Sequence, residues 1–107
     1  MKFKVIIQDR AFEDLERCYQ FLAETRTEHD AVDWYEKTIG KIYRLDRNAL
    51  KWGAIAESQL ASLKLREMRF DWNHLPYRVF YSVNENVVRV LAIRSAYESS
   101  LEPEDLG

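Results

Sequence analysis

Apolar positions along this chain run first with period two, then with period three to four, then with period two again. Phe3, Val5 and Ile7 alternate with Lys2, Lys4 and Ile6, the period of a short strand, and the flanking lysines put it at or beside a sheet edge. Asp9 ends that run and is expected to cap a helix whose first turn holds Glu13 and Asp14 near the positive end of its dipole. Ala11, Leu15, Cys18, Tyr19 and Leu22 then fall on one helical face. Thr27 followed by Asp30 fits the start of a second helix with reciprocal capping. Ala31, Trp34, Tyr35, Thr38, Ile42 and Leu45 keep the helical period through it, and Gly40 weakens the helix without breaking the pattern. Two amphipathic helices joined by a short turn make a helical hairpin.

The periodicity fails from Asp46 to Ser62, an irregular connection with a helical turn expected around Ala54 to Leu60. Beyond it, Leu63 and Leu65 alternate in one phase while Met68 and Phe70 alternate in the other, which predicts a bulge near Arg66 and Glu67. A loop from Asp71 to Pro76 leads into a central strand. There Tyr77, Val79, Tyr81 and Val83 share one face, and Arg78, Phe80 and Ser82 share the other. The polar Asn84 to Asn86 turns the chain back into Val87 to Ile93, with asparagine expected to supply the left-handed backbone. The prediction is an α+β domain over residues 1–107: a strand, a two-helix hairpin, then a three-stranded antiparallel sheet. One sheet face is left for a partner.

A length of 107 residues supports one core and not two. No apolar run reaches membrane-span length and the N-terminus is too short in apolar residues for a signal peptide, so a cytoplasmic protein is expected. Cys18 is alone, which excludes an internal disulfide, and it reads as a small core residue. With His29, His74 and Cys18 at no ligand spacing and no glycine-rich phosphate loop, neither a metal nor a cofactor is expected.

Charge changes the picture more. The net charge is −2, but residues 1–62 carry 10 basic and 11 acidic groups, residues 63–94 carry 6 and 3, and residues 95–107 carry none and 4. A basic sheet is therefore followed by an acidic tail, and the sheet calls for an anionic partner. Arg66, Arg69, Arg78 and Arg89 are the candidates to bind it, the bland alternative being solvated strand decoration. Arg78 is read as gripping an anion or else as covering a sheet face or pairing with Glu67. His74, beside Pro76 in a loop, is expected to be an exposed histidine rather than an acid or base. Glu98, Glu102, Glu104 and Asp105 read as a solvated tail, or else as a cover for the arginines.

Strand, two helices and then a sheet carrying LREMRF, YRVFYSV and VVRVLAIR resemble the RelE/ParE superfamily of bacterial toxins. The resemblance spans nearly the whole chain: Ala31 with Trp34 and Tyr35 matches the second helix, and Tyr77 with Arg78 matches the family's YR pair. It implies the toxin of a type II toxin-antitoxin, or plasmid stabilisation, module, neutralised by a cognate antitoxin protein, as a homodimer or a toxin-antitoxin hetero-oligomer. RelE-like members cleave mRNA on the ribosome without a metal; ParE-like members inhibit DNA gyrase. By resemblance, Arg78 takes the place of the phosphate-facing arginine, with Arg94 and Tyr97 assisting catalysis in a nuclease. The departures favour the ParE-like branch. Ser95 and Ala96 stand where many members keep a histidine, no lysine pair occupies the second strand, and a chain at −2 lacks the strong basicity of a protein that docks on ribosomal RNA. The alternatives are a RelE-like ribosome-dependent endoribonuclease, or an inactive member that only binds its partner.

Overall fold

A computed structural model describes residues 2–55, 64–95 and 98. The elements are β1 (Lys4–Ile7), α1 (Asp9–Thr25), α2 (Glu28–Tyr43), α3 (Leu45–Asn48), β2 (Arg66–Trp72), β3 (Leu75–Asn84) and β4 (Val87–Ser95). They form an α+β fold whose sheet has four strands in the order β1-β4-β3-β2, one more than the expected three. The additional strand is β1. It sits at the edge and pairs parallel to β4, held at its ends by Lys4 N–H donating to Asn86 O at 2.8 Å and Gln8 N–H donating to Val90 O at 3.0 Å.

The helices cover one sheet face. Ala11, Leu15, Cys18 and Leu22 of α1 and Ala31, Trp34 and Ile42 of α2 share a core with Met68 of β2, Tyr77, Val79 and Tyr81 of β3, and Val88, Val90 and Ile93 of β4. Gln8, not Asp9, is the N-cap of α1, and its side chain makes no capping bond. Thr27 Oγ1 accepts the N–H of Asp30 at 3.0 Å, as the pattern predicted, but the Asp30 carboxylate accepts from Arg26 Nε at 3.2 Å. The second half of the capping exchange is thus replaced by an ion pair at i, i+4.

The hairpins differ in detail from expectation. β2 pairs with β3 in unbroken register from Arg66↔Tyr81 to Trp72↔Leu75, so the bulge is not near Arg66 and Glu67. It lies where Phe80 faces Ala92 but Tyr81 faces Val90, leaving Leu91 as the extra residue of β4. The β2–β3 loop shrinks to Asn73 and His74, both at positive φ, 52° and 67°, the backbone a two-residue turn between right-twisted strands requires. In the β3–β4 turn it is Glu85, at φ 57°, that takes the left-handed conformation, while Asn84 belongs to the strand. The helical turn anticipated around Ala54 to Leu60 falls largely outside the described residues; Ala54 itself bridges to Arg66.

Candidate functional site

The sheet face turned away from the helices is built by the pairing register. Residues directly opposite each other in an antiparallel pair point to the same side. Arg69 faces Arg78 and Arg78 faces Arg94, so three of the sequence candidates stand in one row across β2, β3 and β4. Arg89 is on the same side, opposite Ser82, about 13 Å further along at 3.3 Å per residue. It is exposed. Arg66 is not part of this group: its partner is Tyr81 of the core face, and its guanidinium donates to the carbonyls of Trp52 and, at 3.5 Å, of Leu50. Tyr97 lies outside the described residues, as do Glu102, Glu104 and Asp105.

Among the described residues, two carboxylates answer the row. Glu67, only 5% exposed, gives Oε2 to Arg78 Nε at 2.6 Å and Oε1 to Arg69 Nη2 at 2.9 Å. Pairing with Glu67, one of the sequence alternatives for Arg78, is the arrangement present. The Arg78 guanidinium also lies over the Phe80 ring at 4.7 Å, which fixes it from a second side. Phe80 and Ala92, both fully buried, pack with Ile55 on this face.

Glu98 is no solvated tail residue. It accepts from Arg17 Nη2 at 2.5 Å, Arg94 Nη1 at 3.2 Å and Ser95 N–H at 3.0 Å. It thereby ties the end of β4 to α1. Asp14, fully buried, does the same one turn away: its Oδ2 accepts the N–H of Ile93 at 2.9 Å and its Oδ1 accepts Arg17 Nη1 at 2.6 Å. Burial, with the Glu98 charge beside it, pushes the Cys18 thiol up to about 12, which makes it a poor nucleophile. His74 is exposed at the tip of its turn.

The sequence reading placed Asp14 only at the helix dipole and missed its bond to β4, whereas Glu98, read as solvated tail or as a cover for the arginines, follows the second alternative. A signal for Asp14 existed: position 14 shares the helical stripe of Ala11 and Cys18 at i+3 and i−4. Around Cys18, α1 and the start of β3 leave a cleft of about 510 Å³ lined by Phe21, Leu22, Leu75 and Tyr77, with Arg17 and Glu98 also in its lining. Among the described residues no set of His, Cys, Asp and Glu is placed to hold a metal ion, and no helix is long and apolar enough to cross a membrane.

The sequence pattern of a family described as "ParE toxin of type II toxin-antitoxin system, parDE" matches residues 5–99, from the first strand to beyond the last. The chain belongs to the ParE toxin family. Among solved structures, a chain of the "Chromosomal ParDE TA system from P. aeruginosa" superposes on this ParE toxin with a TM-score of 0.68 at 12% identity, covering 88% of this chain and 96% of that one. At such identity the likeness is one of fold. No curated protein sequence matches this ParE toxin significantly.

Proposed function

We propose that this toxin inhibits DNA gyrase and is neutralised by a cognate antitoxin, in the bacterial cytoplasm, as part of a plasmid-stabilisation module. The family match over residues 5–99 carries the reading. The arginine row supports the choice of a protein target. Arg78 and Arg94, the residues a RelE-like nuclease would aim at a phosphodiester, are each engaged by an internal carboxylate, and a phosphate competes poorly for a guanidinium already held at short range.

For the antitoxin, the apolar cleft between α1 and the start of β3 offers a seat to hydrophobic side chains. Phe21 beside it, 45% exposed, offers an anchor. Either a homodimer or a toxin-antitoxin hetero-oligomer is compatible with such a surface. Purified toxin added to a gyrase supercoiling reaction is expected to stop supercoiling, and stoichiometric antitoxin to restore it. Supercoiling that proceeds unchanged at excess toxin would exclude the gyrase reading, and cleavage of mRNA in ribosomes would put the endoribonuclease in its place.

A further inference from the structure

Three guanidiniums abreast on adjacent strands repel one another, and like charges directly opposite in a sheet are destabilising. The register leaves Arg69, Arg78 and Arg94 no other arrangement. Glu67 resolves most of the conflict. It stands on the same side of β2, opposite Phe80, and each of its carboxylate oxygens takes one arginine. Glu98 engages the third. Among the described residues the row thus sets two carboxylates against three guanidiniums, and its central guanidinium is clamped between Glu67 and the Phe80 ring.

We propose that Glu67 is the specificity-determining residue of this face: by occupying Arg69 and Arg78 it closes the row to nucleic-acid phosphates and reserves the face for a protein partner. The physical reason is one of charge. A protein gains affinity for nucleic acid by neutralising phosphates and releasing their counterions, each contact adding about 0.7 to the salt slope on a single strand. A row whose guanidiniums already face carboxylates offers little of this. A buried carboxylate already hydrogen-bonded to both arginines must also be displaced or desolvated further before a phosphate can enter. A protein surface has no such requirement, because it can dock on the Arg69–Glu67–Arg78 network, two guanidiniums sharing one carboxylate, by shape and by the arginines' outward N–H donors. The inference rests on the reading of the chain as a toxin that acts on a protein.

The test is binding of a short fluorescein-labelled single-stranded RNA, followed by anisotropy across a salt series, for the wild-type chain, Glu67→Gln and Glu67→Gln/Arg78→Ala. Wild type is expected to bind weakly. Glu67→Gln should bind roughly tenfold more tightly at low salt, with a slope steeper by about 0.7, and the added Arg78→Ala should abolish the gain. Wild type binding as tightly as Glu67→Gln, or with the slope of three phosphate contacts, would overturn the proposal. If circular dichroism finds Glu67→Gln unfolded, Glu67→Asp replaces it. Its shorter carboxylate cannot span both arginines, so it too must bind RNA more tightly than wild type, and equal binding overturns the proposal. A chain that inhibits gyrase yet grips RNA refutes the role of Glu67 alone. A chain that ignores both RNA and gyrase refutes the gyrase reading alone.

Discussion

The carboxylate of Asp14 in α1 accepts the backbone N–H of Ile93 in β4 at 2.9 Å. Leu91 bulges out of β4 two residues earlier, and a bulge loosens the ladder beside it. Asp14 therefore anchors the helix to the strand where the sheet's own pairing is irregular, and Arg17 at 2.6 Å balances its charge. Asp14→Ala would leave the buried N–H of Ile93 without this acceptor and take from the half-exposed Arg17 one of its carboxylate partners. Loss of about 1–3 kcal/mol is expected, measured by urea denaturation, with Asp14→Asn falling between because it keeps one acceptor. A loss under about 1 kcal/mol would mean that water replaces the carboxylate.

Two backbone positions are stability reserves. Gly40 is exposed in the interior of α2, and a Cβ there would meet nothing within 4 Å. Gly40→Ala should stabilise by about 0.5–1 kcal/mol. Glu85 pays a steric penalty at φ 57°, which glycine lacks, so Glu85→Gly should gain up to about 1 kcal/mol. Thermal melts of each variant decide both, and a lowered midpoint would show that the native side chain has an offsetting role.

What could be read in advance was whatever repeats locally. Ala11, Leu15, Cys18 and Leu22, then Tyr77, Val79 and Tyr81, announced a helix and a strand because one face of each must be buried. Non-local pairing left no such trace. Phe3 to Ile7 reads as a strand, but nothing in it names β4 as its parallel partner. The bulge at Leu91 was invisible because Val90, Leu91 and Ala92 are all apolar, so a change of phase there moves no polar residue into view. Arg78 and Glu67 could be imagined as a pair, while the row of Arg69, Arg78 and Arg94 emerges only once the register is known.

Stability should fall in alkali. Burial raises the Cys18 thiol from 9.0 to about 12 and the Tyr81 hydroxyl from 10.0 to about 12. Both groups are held neutral by the fold. Their contribution is complete below pH 9 and is lost as pH climbs toward 12, because the unfolded chain releases these protons first. Tyr81→Phe should flatten the fall above pH 10, and Cys18→Ala the part that begins near pH 9. At neutral pH, Tyr81→Phe also forfeits the bond to Ala49 O at 2.5 Å, worth about 1 kcal/mol. Melting midpoints across this range test the point; curves for both variants that parallel wild type would refute it.

Phe21 separates partner binding from folding. Its ring is 45% exposed in the lining of the cleft, so Phe21→Ala should destabilise by only about 1 kcal/mol. Losing a central aromatic anchor typically costs an interface 2 kcal/mol or more, so antitoxin affinity should drop roughly 30-fold. Calorimetric titration with the antitoxin measures it, and unchanged affinity would place the antitoxin on another surface.

Arg78 presents the harder separation, since any loss of toxicity on replacing it could come from instability. Arg78→Ala removes the 2.6 Å partner of the 5%-exposed Glu67 carboxylate and leaves it with Arg69 at 2.9 Å, a cost of about 1–3 kcal/mol. Adding Glu67→Gln removes the charge left behind and should recover most of that loss, since residues in one network are energetically coupled. If Arg78 belongs to the surface that meets gyrase, the double variant regains wild-type stability in urea but still fails to inhibit supercoiling. A double variant that inhibits like wild type would confine Arg78 to holding the sheet together, and the inhibitory surface proposed for gyrase would then have to lie elsewhere on the molecule.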